Sequence, residues 1–137
     1  MRLLCVLAAV ALLAGAATAE AVKRKGTNRH DVLKGTPGND TLLGRGGNDV
    51  LTGGAGDDVL NGGKRDDKLD GGDGNDKLYG GRGRDELTGG PGDDVIHARK
   101  GDEDFIDCGD GNDVAIVDAS EDGVYDCEDI RRPGGAP

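Results

Sequence analysis

The sequence predicts an all-β solenoid, a stack of short coils joined by tight turns. Three observations carry this prediction. Asp recurs at 31, 40, 49, 58, 67, 76, 85 and 94 without a slip, and Gly opens each nine-residue unit from Gly26 to Gly89. Two places after each Asp stands an aliphatic residue, from Leu33 through Leu42, Leu51, Leu60, Leu69, Leu78 and Leu87 to Ile96. A fixed period decides the architecture, because a single repeat cannot bury its apolar face alone and must stack on its neighbours.

Each unit divides in the same way. In Gly71-Gly72-Asp73-Gly74-Asn75-Asp76-Lys77-Leu78-Tyr79 the first six residues are turn formers and the last three make a minimal strand. The Leu at the eighth place points to one face of the strand and its neighbours to the other. One Leu in nine cannot build a globular core. Stacked coils, however, line these side chains into a ladder and pair each strand with the coils above and below.

Bulk composition alone would place the chain near the disordered class, with 27 Gly, 22 Asp and only three aromatic residues in 137, and a formal charge of −10. Position overrides composition here. Gly does not recur at every third residue, which excludes collagen. The negative charge, without a basic stripe interleaved with aromatics, excludes nucleic acid as a partner. The sequence holds no nucleophile elbow, no His-Glu-x-x-His and no phosphate loop, so it is not read as an enzyme.

Stacking brings Asp beside Asp at about 5 Å, and the region from Gly26 to Ile130 carries 26 acidic against 11 basic residues. Such a stack needs counterions. Carboxylates and the carbonyls of Gly-rich turns are the hard oxygen ligands that Ca2+ takes, in numbers that Mg2+ tolerates badly. Zinc or copper would want His and Cys at ligand spacing, whereas His30 and His97 are far apart and read as solvated.

The units Gly53-Gly54-Ala55-Gly56-Asp57-Asp58-Val59-Leu60, Gly71 to Leu78 and Gly89-Gly90-Pro91-Gly92-Asp93-Asp94-Val95-Ile96 resemble the RTX, or haemolysin-type, calcium-binding nonapeptide, Gly-Gly-x-Gly-x-Asp-x-Leu-x. The resemblance implies a parallel β-roll with two nonapeptides per coil, so that units two apart stack on one side. It also implies several Ca2+ ions between stacked turns, held by turn carbonyls and by the sixth-place carboxylates of Asp40, Asp49, Asp58, Asp67, Asp76, Asp85 and Asp94. Asp104 and Asp113 continue this column after a one-residue insertion at Glu103. At the fifth place stand Asn39, Asn48, Asp57, Asp66, Asn75 and Asp93, which either ligate as well or make Asx turns; both readings stay open.

Departures from the pattern locate weak points. The first unit lacks the later glycines, so Asp31 is expected in an N-terminal cap. Arg65 replaces the fourth-place Gly and Arg84 the fifth-place Asn or Asp, so a site shared by their two turns is expected to be the weakest.

The ends have their own chemistry. Residues 1–19 read as a signal peptide: Met1-Arg2, an apolar run from Leu3 to Ala14, and a small-residue cleavage site at Ala17-Thr18-Ala19. The run is shorter than the ~20 residues of a spanning helix, so no membrane span is expected after cleavage. Residues 20–25 read as a basic linker, 26–97 as eight nonapeptides, 98–130 as irregular repeats with a cap, and 131–137 as a disordered tail. An exported chain places Cys108 and Cys127 in an oxidising compartment, where a disulfide closing the cap is favoured over free thiols. The stretch from Asp118 to Asp129 matches the oxygen spacing of an EF-hand loop, but it lacks the final Glu and flanking amphipathic helices, which favours a solvated loop.

The expectation is a secreted calcium-binding β-roll that orders when Ca2+ binds. The alternative is a calcium-stabilised scaffold whose outward face binds a cell-surface or extracellular partner.

Overall fold

Leu42 lies opposite Leu60, Leu60 opposite Leu78, and Leu78 opposite Ile96. Each step is 18 residues, so one full coil contains two nonapeptides and consecutive repeats alternate between two sheets. The computed structural model describes residues 20–98, 103–118 and 123–133. Among them are thirteen strands and no helix: β1 Lys23–Lys25, β2 Val32–Lys34, β3 Thr41–Leu43, β4 Val50–Ala55, β5 Val59–Lys64, β6 Lys68–Asp73, β7 Lys77–Arg82, β8 Glu86–Pro91, β9 Val95–Ala98, β10 Phe105–Asp110, β11 Val114–Val117, β12 Gly123–Tyr125 and β13 Asp129–Arg131. Odd-numbered strands form one seven-stranded sheet and even-numbered strands a six-stranded one, each in chain order. Pairing is parallel in both, as in β4 with β6 and β5 with β7. The chain is a parallel β-roll.

The core is the predicted aliphatic ladder. Leu42, Leu51, Leu60, Leu69, Leu78, Leu87, Ile96 and Ile106 are fully buried, and Ala98, Cys108, Ala115 and Val117 complete the cluster toward the C-terminal end. Phe105 and Tyr125 stay outside and pack on each other with ring centroids 5.1 Å apart. On the outer face of the odd sheet His97 stacks on Tyr79 at 4.6 Å.

Several strands are longer than the three residues expected. The strands β4 to β8 and β10 run for six residues each, because the first three places of the next unit also pair with the adjacent coil, as Gly54 does with Gly72 and Ala55 with Asp73. Such pairing needs bare backbone. A Cβ on Gly72, whose φ is 103°, would sit 2.0 Å from the carbonyl oxygen of Gly54.

Lys23–Lys25, expected as linker, forms β1 against β3, with Arg24 opposite Leu42. No apolar residue announces this strand; its hold is backbone pairing, extended by the Thr41 N–H donating to the Val22 carbonyl at 2.8 Å. Farther on, the pairing step becomes 19 at Leu87 with Ile106 and at Ile96 with Ala115, which places the inserted residue between β9 and β10. The last coil is short, with Ala115 opposite Ile130. Arg131 ends β13 and so belongs to the roll rather than to the tail.

Candidate metal centre

The sixth-place carboxylates form two buried columns, one at each turn edge. Asp40, Asp49, Asp58, Asp67, Asp76, Asp85, Asp94, Asp104 and Asp113 are all at most 4% exposed. Their places follow from the repeat: each Asp enters a strand one residue before the outward seventh place and two before the buried Leu, where the chain turns inward.

Backbone amides hold each column in register. Asp58 Oδ1 accepts from Asp40 N at 2.7 Å, Asp76 Oδ1 from Asp58 N at 2.7 Å, Asp94 Oδ1 from Asp76 N at 2.7 Å and Asp113 Oδ1 from Asp94 N at 2.7 Å. The other edge repeats the pattern, with Asp49, Asp67, Asp85 and Asp104 accepting from Asp31, Asp49, Asp67 and Asp85 at 2.8 to 2.9 Å. Non-Asp residues end the first column: Val22 N donates to Asp40 Oδ1 at 2.6 Å and Asp113 N to Glu128 Oε2 at 2.8 Å. Glu128 and Val22 lie outside the nonapeptide register, which is why the repeat did not point to them.

The second carboxylate oxygen is different. Oδ2 of Asp49, Asp58, Asp67, Asp76, Asp85, Asp94 and Asp113 is buried and has no hydrogen-bond partner. A buried unpaired carboxylate oxygen is costly, so a row of seven demands a ligand. Six of these oxygens turn toward the first-place Gly of their own unit, whereas the unit of Asp113 opens with Cys108. A Cβ on Gly53 would lie 2.2 Å from Asp58 Oδ2 and 2.4 Å from the carbonyl oxygen of Gly71 in the next coil. At Gly71 the corresponding atoms are Asp76 Oδ2 at 2.3 Å and the Gly89 carbonyl at 2.7 Å, and at Gly89 they are Asp94 Oδ2 at 2.3 Å and the Cys108 carbonyl at 2.4 Å. A carboxylate and a carbonyl from successive coils thus converge at Gly53, Gly71 and Gly89, and likewise at Gly35 and Gly44. The donor set is all oxygen, anionic carboxylate with neutral carbonyl, which suits a hard cation such as Ca2+. Among the described residues no three His, Cys, Asp or Glu side chains cluster for a metal.

Protonation reports the same strain. Burial, with the carboxylates of adjacent coils adding to it, pushes Asp67, Asp76 and Asp85 up to about 7 and Asp94 up to about 6. Burial also raises Asp58 and Asp113. At the N-terminal end the direction reverses. Burial raises Asp40, but hydrogen bonds from Val22 and Thr36 and the charge of Arg24 outweigh it. Backbone and hydroxyl bonds from Thr27 lower Asp31.

The family comparison agrees with this geometry. The four-copy model of the RTX calcium-binding nonapeptide repeat matches residues 25–60, 52–87 and 79–115, more than half of the chain. The chain belongs to this family. RTX repeats bind calcium, and with the parallel coil they make this a calcium-binding β-roll. No curated protein and no solved structure matches the chain.

Within the RTX units the fifth-place side chains accept backbone hydrogen bonds. Asn39 Oδ1 accepts from Asp57 N at 2.9 Å, Asp57 Oδ1 from Asn75 N at 2.9 Å, Asn75 Oδ1 from Asp93 N at 2.8 Å and Asp93 Oδ1 from Asn112 N at 3.0 Å. These bonds join successive coils, on the exposed surface. On the other edge Asp66 Oδ1 accepts from Arg84 N at 3.1 Å, and the Asn48 carbonyl meets the His30 ring.

The irregular RTX positions fold as well. Arg65 adopts the left-handed backbone of the fourth place with a φ of 75°, and Arg84 turns to Glu103 at 2.8 Å. Cys108 and Cys127 are joined in a disulfide with Cα atoms 5.2 Å apart, tying β10 to the segment between β12 and β13. The EF-hand-like stretch lies partly outside the described residues; of its acids, Asp129 pairs with Arg131 at 2.6 Å. Among the described residues no helix is long and apolar enough to cross a membrane.

Proposed function

We propose that this RTX chain is exported and folds by binding several Ca2+ ions between its stacked turns. The sixth-place carboxylates of Asp40, Asp49, Asp58, Asp67, Asp76, Asp85, Asp94, Asp104 and Asp113 serve as anionic ligands, with turn carbonyls as neutral ones. The observation that carries this reading is the row of buried Oδ2 atoms without hydrogen-bond partners. Bound Ca2+ supplies the positive charge that columns of stacked carboxylates require. The chain's own groups fix where that charge goes: from Asp49 onward the amide of the preceding Asp in the stack holds Oδ1, whereas Asp40 is held by Val22 N at Oδ1 and by Thr36 at Oδ2.

Without such ions the columns repel, and one buried aliphatic residue per nine cannot offset the conformational entropy of closing the coil. Folding is therefore coupled to the ion, and the product is a binding module rather than an enzyme. Export is supported by the charged start, apolar run and small-residue site of residues 1–19, and by a disulfide of the kind found in oxidising compartments. Calcium outside the cell reaches the range, roughly 0.1 to 1 mM, in which extracellular modules bind it.

The test is a calcium titration of the secreted chain followed by far-ultraviolet circular dichroism. The reading expects a disordered spectrum in chelator that converts to β-structure as Ca2+ rises. A spectrum that ignores calcium contradicts it.

A further inference from the structure

The two turn edges of the roll differ in charge. Turns 35–40, 53–58, 71–76 and 89–94, which enter β3, β5, β7 and β9, contain seven carboxylates and no Lys or Arg. Turns 26–31, 44–49, 62–67 and 80–85, which enter β2, β4, β6 and β8, contain five carboxylates and six cations: Arg29, Arg45, Lys64, Arg65, Arg82 and Arg84. All six cations are exposed, and among the described residues Arg84 alone of the six is in an ion pair, with Glu103. Both edges present the same buried sixth-place carboxylates with unpartnered Oδ2 atoms, Asp58, Asp76 and Asp94 on one and Asp49, Asp67 and Asp85 on the other.

Preorganisation differs in the same sense. The cation-free edge is braced by the unbroken fifth-place ladder from Asn39 to Asn112. Among the described residues the other edge has one such bond, from Arg84 to Asp66, and it holds Arg45 and Arg65 in left-handed backbone at φ 86° and 75°, a conformation that favours glycine.

We infer that the two edges are two classes of calcium site: the cation-free edge fills first, and the arginine edge binds about ten- to thirtyfold more weakly. This rests on the calcium reading above and assigns its order. A unit positive charge about 8 Å from a divalent ion in water-like surroundings weakens binding roughly sixfold, and every gap between turns on the arginine edge is flanked by at least two. Salt screens part of this, so the separation is widest at low ionic strength. Ordering then proceeds in two steps, with one side of the roll responding to lower calcium than the other.

The experiment is isothermal titration calorimetry of the secreted chain with Ca2+ at low ionic strength, with bound ions counted by equilibrium dialysis. Two variants separate the edges. Arg45→Gly/Arg65→Gly/Arg84→Asn removes cations from one edge. Asp73→Lys/Pro91→Lys places cations on the other, at exposed third-place positions equivalent to those of Lys64 and Arg82. The wild type is expected to show two classes of site. The first variant tightens the weak class about tenfold or more, and the second weakens the tight class by a similar factor. A single class of uniform affinity, unmoved by either variant, overturns this inference and leaves the calcium reading standing. Absence of binding overturns both. If the lysine variant does not fold at saturating Ca2+, the arginine variant decides alone, and no tightening of its weak class overturns the inference.

Discussion

Asp57 and Asp58 are neighbours in sequence and aim their carboxylates in opposite directions along the stack. Asp57 Oδ1 accepts from Asn75 N in the following coil at 2.9 Å, while Asp58 Oδ1 accepts from Asp40 N in the preceding coil at 2.7 Å. The first bond is on the surface and the second is buried, so one residue braces the outside of the turn and the other faces inward with an oxygen to spare. On the proposed function, this division gives one residue of the short acidic pair to stacking and the other to ion binding.

Charge removal at the two places should therefore separate. Asp58→Asn keeps an acceptor for Asp40 N but loses the carboxylate that faces the Gly71 carbonyl. Its calcium midpoint is expected to rise severalfold, with fewer ions bound per chain. Asp57→Asn keeps the bond to Asn75 and leaves the midpoint within about twofold, since exposed polar changes seldom exceed ~0.5 kcal/mol. Calcium titrations of both variants, monitored by circular dichroism, check this; equal effects would contradict the division of roles.

The pH dependence follows from sign. Burial first, then neighbouring carboxylates, raises Asp67, Asp76 and Asp85 from 3.8 to about 7 and Asp94 to about 6. A folded-state value above the unfolded one contributes stability that is present below about pH 4 and is lost as pH rises to about 7. In chelator, acidification from pH 7.5 to 4 should thus strengthen the β-signal. In calcium, protons and Ca2+ compete for the same oxygens, so the calcium midpoint should move upward as pH falls from 8 to 6. A midpoint independent of pH would count against ligation by these groups.

Cys108 and Cys127 are 19 residues apart, and their bridge holds the last coil on the stack. On the chain-entropy estimate a loop of this size contributes about 3 kcal/mol. A Cys108→Ala/Cys127→Ala variant is expected to lower the melting temperature in calcium and to raise hydrogen exchange first in β12 and β13. Protection lost uniformly along the roll would argue that the bridge does more than close the end.

Leu69 is fully buried midway along the ladder, whereas Val32, at the outward seventh place beside Leu33, is 59% exposed. Leu69→Ala should cost about 2 to 5 kcal/mol through its cavity, and Val32→Ala under about 0.5 kcal/mol. Denaturant melts at saturating Ca2+ measure both.

The period of nine made most of this fold legible. It located the aliphatic ladder and the recurring sixth-place Asp, because side-chain alternation follows directly from spacing; that two units make one coil, and so that the carboxylates stand in two columns, was implied only by the resemblance to the RTX nonapeptide. What it could not reveal was direction: nothing in the pair Asp57-Asp58 says that one carboxylate turns toward the next coil and the other toward the last. It also missed β1, since Lys23, Arg24 and Lys25 have no apolar face and join the sheet through backbone alone. Glu128 closes a carboxylate column from outside the register, where only the short last coil brings it beneath Asp113.

The central claim is that the inward oxygens of the sixth-place Asp residues hold calcium. Anomalous difference density from crystals of the protein grown in CaCl2 tests it most directly. The account predicts peaks between successive turns, each within Ca–O bonding distance of an Oδ2 such as that of Asp58, Asp76 or Asp94 and of the first-place carbonyl in the next coil. Ordered Asp columns with no anomalous peak beside them would contradict it.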